Sequence, residues 1–158
     1  MKLYANPYDI TKTGFYFESV EQFETGVAKS LAEEFEIDVI DCELPRAIYD
    51  AMKINQTNIE DSFELAEILE SLDVEQLTAI EFLLDCGHDI QYAMNKFEDV
   101  CISSESLDDY AYGLMVDCYD VPDSLIHYLD YRRFGRDLVL EGSVAQLNGY
   151  LITNANDF

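Results

Sequence analysis

Apolar positions along the chain follow two periods, and the change from one to the other marks out its elements. Residues 2–6 and the aromatic-rich residues 14–18 read as strands, the first stopped by Pro7. Ser19 with Gln22 three residues later fits a capping box. Phe23, Val27 and Leu31 then recur at fours, which predicts one buried helical stripe reaching to about Ala32. Residues 35–42 alternate Phe35, Ile37 and Val39 with Glu36 and Asp38, a third strand with one face on that helix. Leu44-Pro45 ends it, and residues 46–53 carry Ile48, Tyr49 and Met52 as the face of a short helix.

Polar residues 55–58 read as a linker, after which the pattern becomes helical. Asn58 is placed to cap a helix with Ile59, Phe63, Ala66 and Leu69 inward. Asp73 and Gln76 open the next, with Leu77, Ile80, Leu83 and Leu84 toward a core and Gly87 as its stop. Asp89 starts a third, with Ile90, Ala93, Met94 and Phe97 on one face. Residues 101–105 read as a second hinge. Ser104 or Ser106 then opens a helix carrying Leu107, Tyr110, Ala111, Leu114 and Cys118. Pro122 suits the first position of the helix that follows. Gly135, further on, marks a bend or a close packing contact. After Gly142 the period becomes two, and Asn148-Gly149 between two such runs is a strong hairpin signal. The expected fold is α+β, divided into an α+β segment 1–57, an acidic helical segment 58–103 and an α+β segment 104–158.

Charge changes this picture most. The chain of 158 residues holds 33 acids and 9 bases, a formal net charge of −24, yet is 49% hydrophobic. Such a chain has enough apolar content to bury a core, and its self-repulsion opposes the compact state. Halophilic adaptation and a basic partner are two readings of that charge. Between Lys53 and Arg132 the only base is Lys96. Glu60, Glu64 and Glu67 fall at i, i+4 and i+7, so they share one helix face over roughly 10 Å. Asp61, Glu70, Asp73, Glu75, Glu81, Asp85 and Asp89 extend the basic-free region. Asp108, Asp109, Asp117, Asp120, Asp123 and Asp130 continue it. Ordinary surfaces intersperse both signs, so this distribution argues against a merely solvated face, while composition alone does not separate halophilic adaptation from a basic partner. Arg132, Arg133 and Arg136 lie beside Asp130 and Asp137, which reads as local charge pairing rather than phosphate binding.

Other chemistries find little support. The four cysteines have no Cys-x-x-Cys spacing and there are two histidines, so no metal site is expected. The calcium-loop pattern is absent, and Asp117, Asp120 and Asp123 are spaced as on a helix. His88 and His127 stand apart from any nucleophile motif, and no glycine-rich phosphate loop is present, so no catalytic residue and no cofactor is assigned. The start of the chain has no apolar signal region and no run is long enough to span a membrane, which predicts a cytoplasmic protein with reduced core cysteines.

Val121-Pro122, Leu125, Tyr128-Leu129-Asp130-Tyr131 and Phe134-Gly135-Arg136-Asp137-Leu138 resemble the ArdA antirestriction family. Asp41-Cys42-Glu43-Leu44-Pro45 and Tyr4-Ala5-Asn6-Pro7-Tyr8-Asp9 extend the likeness. The resemblance implies an elongated, non-catalytic DNA mimic carried by a mobile genetic element. It implies a partner, the DNA-binding cleft of a Type I restriction–modification enzyme, with no direct binding of nucleic acid. It also implies a homodimer joined through the last segment, where Tyr119, Val121 and Leu125 are the candidate contacts. Two alternatives stay open: an acidic mimic aimed at another DNA-binding protein, and a helical adaptor, since residues 72–100 loosely resemble a ubiquitin-associated bundle.

Overall fold

The computed structural model describes residues 1–119 and 121–158. Asp120, which the sequence adds to the acidic set, and the side chain of Asp123 lie outside the described residues. The architecture is α+β and falls into two compact units, Met1–Asp73 and Val74–Phe158.

In the first unit, β1 (Lys2–Pro7) is the centre of an antiparallel sheet, between β2 (Phe15–Phe17) and β3 (Phe35–Asp41). Leu3 faces Phe17 on one side and Val39 on the other, and Ala5 faces Phe15 and Ile37. The strand period of two sends Leu3, Ala5 and Phe17 to one buried face, where Phe35, Ala32 and Ile59 join them. Each such large side chain removed from water contributes about 1.5–3 kcal/mol. Around that face pack helix α1 (Val20–Ser30) and α3 (Ile59–Glu70), while α2 (Arg46–Ala51) buries Ile48.

Local signals decide where these helices begin. Ser19 accepts from the Gln22 backbone N–H at 3.3 Å, and Gln22 Oε1 accepts from the Glu18 N–H at 2.8 Å. The expected stripe of α1 stops one turn early. Leu31 takes a left-handed φ of 55° as the C-cap and is exposed, and Ala32 is the buried residue instead. Asn58 precedes α3 but does not cap it with its side chain. Its Oδ1 accepts from the Asn55 N–H at 2.7 Å, closing a polar turn that is more compact than a linker.

The second unit opens with α4 (Val74–Asp85), which buries Thr78, Ala79, Ile80, Phe82 and Leu83. Gly87 follows at φ +93°, a backbone state that suits glycine. Asp89 then caps α5 (Ile90–Lys96), accepting from the Tyr92 N–H at 2.8 Å. The stretch expected as a hinge contains β4 (Ile102–Ser103). Ile102 pairs with Ile152 and Ser103 with Leu151, so this segment is held in a sheet. Ser106 caps α6 (Leu107–Cys118), and a short α7 (Asp123–Ile126) has Pro122 at its N-cap, one position ahead of its expected place. Asp130 caps α8 (Tyr131–Leu140), which runs through Gly135 without interruption. The Asn148-Gly149 turn joins β5 (Ala145–Leu147) to β6 (Tyr150–Ile152), and the sheet order is β4-β6-β5. Leu138, Val144 and Leu151 form the core there, under Leu107, Tyr110, Leu114 and Phe134.

The cysteines are free but are not core thiols. Cys86, Cys101 and Cys118 are exposed and Cys42 is half-buried. Cys42 directly follows β3, Cys86 directly follows α4, Cys101 directly precedes β4 and Cys118 ends α6, so each stands at the boundary of an element.

Candidate acidic interaction surface

Helix α3 turns Ile59, Ser62, Ala66 and Leu69 inward, which fixes the direction of every other position on it. Glu60, Asp61, Glu64 and Glu67 are all exposed on the remaining face. Like charges at i, i+4 oppose a helix by about 0.2–0.5 kcal/mol per pair. No basic side chain pairs with these four among the described residues, so burial of the inner face outweighs that repulsion. Glu70 lies 3.7 Å from the Met1 ammonium. Beside this face runs an open groove of about 410 Å³, lined by Glu18, Glu60, Glu64, Glu67 and Glu70 together with Val20, Phe63 and Ala66.

In the second unit the acids divide by what they already do. Asp85 and Asp117 are exposed, as is Glu75 near the start of α4. Glu81 is half-buried and accepts from Asn148 Nδ2 at 2.6 Å. Asp89 spends one oxygen on the cap of α5. Asp108 pairs with Arg132 at 3.0 Å, and Asp109 accepts from the Ser106 hydroxyl at 2.6 Å. Asp73 is exposed at the end of the first unit. Lys96, the one base of the central span, has its charge met by Asp99 at 2.7 Å, and that hydrogen bond holds the ammonium pKa above its ordinary value. The expected pairing of the arginines with Asp130 and Asp137 is not the one formed. Asp130 faces the backbone as a cap, and Arg132 reaches across to α6.

A second surface is apolar. Tyr119 and Leu125, expected at a dimer contact, are 54% and 51% exposed, and Val121 is half-buried. Tyr112 and Val116 are exposed as well, and with Tyr119 they stand at i, i+4 and i+7. Val116 is not among the expected contacts, yet it lies off the expected stripe of α6, whose Leu107, Tyr110, Ala111 and Leu114 turn to the core. Tyr128 is more exposed still, at 85%. No helix among the described residues is long and apolar enough to cross a membrane.

Compared with known proteins, residues 8–152 match the family model described as antirestriction protein (ArdA). No curated protein sequence matches the chain.

Proposed function

Because the chain belongs to the ArdA antirestriction protein family, we propose that it blocks Type I restriction–modification enzymes by occupying their DNA-binding cleft as a protein substitute for DNA. The observation that carries this is the exposed row of Glu60, Glu64 and Glu67 on α3, which no basic side chain among the described residues neutralises. An enzyme that grips duplex DNA supplies Lys and Arg mainly to phosphates. Carboxylates held on a helix offer the same bases an anionic partner and displace the same counterions. A duplex carries one charge per about 1.7 Å of axis, so roughly six over the length in which α3 offers three. The mimic is therefore the more weakly charged ligand per unit length, and its attraction must be summed over many acids. Opposite fields also speed the encounter.

In this reading the acids that remain available are Glu60, Asp61, Glu64, Glu67, Glu75, Asp85 and Asp117, with Glu70, Asp73, Asp89, Asp108 and Asp109 adding to the field. Glu81 contributes chiefly through the fold. The protein acts in the cytoplasm, has no catalytic residue, and forms a homodimer through the apolar surface of Tyr119, Val121 and Leu125. Apolar stripes of this kind, rich in Tyr, suit a protein interface. The test is cleavage of an unmodified target plasmid by a purified Type I enzyme as the protein is titrated in. Cleavage should stop at a fixed ratio of protein to enzyme, independent of plasmid sequence outside the recognition site. Undiminished cleavage at large excess rejects the proposal.

A further inference from the structure

The β5–β6 turn places Asn148 at φ 52° and Gly149 at φ 85°. Both residues are exposed. Asn148 Nδ2 donates to Glu81 Oε2 at 2.6 Å and reaches Thr78 Oγ1 at 3.5 Å, so one carboxamide fastens the hairpin to α4. The contact depends on the amide being an amide, since an NH₂ group donates while a carboxylate only accepts. Gly149 has no β-carbon, which leaves the backbone nitrogen following Asn148 open to close approach. No other asparagine in the chain precedes glycine.

We propose that Asn148 is a site of spontaneous deamidation, restrained by Glu81 while intact and sensed by Glu81 once converted. The Gly149 backbone nitrogen attacks Asn148 Cγ and gives its proton to solvent. A bond forms between that nitrogen and Cγ, the Cγ–Nδ2 bond breaks, and ammonia leaves, closing a succinimide ring. Water then opens the ring at either carbonyl. Breaking the new bond to Cγ leaves aspartate. Breaking the original peptide bond leaves isoaspartate, with the main chain now running through the β-carbon. The net change is amide plus water to acid plus ammonia, with no oxidation or reduction.

The restraint is geometric. Cγ must swing toward the Gly149 nitrogen, so the carboxamide must leave Glu81 and the turn must open. Flanking strands of three residues each permit that by local fraying. The sensing is electrostatic. The product sets a second carboxylate against Glu81 where a donor stood. Isoaspartate also lengthens a turn that fixes Leu147 opposite Tyr150. Because β6 supplies the fully buried Leu151 and Ile152, the disturbance reaches the core of the second unit.

The experiment ages the full chain in mildly alkaline buffer, follows Asn148 by peptide mass spectrometry, and detects isoaspartate by enzymatic carboxyl methylation. Wild type should convert at Asn148 ahead of every other asparagine. Glu81→Ala should convert about threefold to tenfold faster, as expected for loss of one hydrogen bond made by an exposed side chain. Glu81→Gln serves the same comparison if alanine disturbs α4. Asn148→Asp should unfold at lower temperature than wild type. Asn148 left intact in the aged protein, while the excised peptide converts, would overturn the site. Equal rates with and without the Glu81 carboxylate would overturn the restraint, and an unchanged midpoint in Asn148→Asp would overturn the sensing.

Discussion

Gly135 of α8 lies so close to Leu107 of α6 that a β-carbon at Gly135 would stand 2.9 Å from Leu107 Cγ and 3.3 Å from the Leu107 carbonyl oxygen. The glycine costs α8 about 1 kcal/mol of helix stability relative to alanine. The close contact of the two helices is what that cost permits.

Gly135→Ala should therefore destabilise the protein, although it improves helix propensity. Overpacking costs about 1–3 kcal/mol, against the gain of about 1 kcal/mol from propensity. The expected net loss is about 1 kcal/mol, a fall of about 3 °C in Tm. Thermal unfolding followed by circular dichroism checks it, and a higher Tm would show that Leu107 can move aside.

The Arg132–Asp108 ion pair also joins these helices, but both side chains are well exposed, at 82% and 49%. A double-mutant cycle with alanine at each position should give a coupling below about 1 kcal/mol. A larger value would mean that the pair, rather than packing at Gly135, holds α8 on α6.

Much of this fold is legible in local chemistry. Ser19 with Gln22, Asp89 and Ser106 mark helix starts because capping involves residues only three apart. Asn148-Gly149 marks the hairpin because its backbone geometry favours those residues. What escaped depends on distant partners. Ile102–Ser103 is too short to show a period, and its strand partner lies some fifty residues on, at Leu151 and Ile152. Arg132 has acids adjacent in sequence yet pairs with one that the packing of α8 on α6 brings near. At the candidate surface, the exposed row on α3 follows from spacing alone. That Glu81 is engaged by Asn148 does not, because nothing local distinguishes it from Glu75 or Asp85.

If the apolar surface of the second unit joins two copies, Leu125→Glu should give a folded monomer. Leu125 is the better probe because Tyr119 also packs edge-on against Phe134 at 5.9 Å, so its loss would weaken the fold itself. Sedimentation of wild type as a monomer at micromolar concentration would end the dimer proposal.

Charge reversal along α3 should act cumulatively. Glu64→Lys alone should weaken inhibition only modestly, because each carboxylate is exposed and screened. Glu60→Lys, Glu64→Lys and Glu67→Lys together should weaken it much more, with the fold unchanged because none of the three is buried. Abolition by one substitution, with fold intact, would point to a single dominant contact.

The central claim is that the protein takes the place of DNA. The direct measurement is binding of a Type I methyltransferase core to labelled duplex, with this protein as competitor, at several salt concentrations. Inhibitor and duplex should exclude each other, and the inhibitor's affinity should fall log-linearly with salt, less steeply than that of DNA. A ternary complex of enzyme, duplex and inhibitor, or an affinity indifferent to salt, would contradict it.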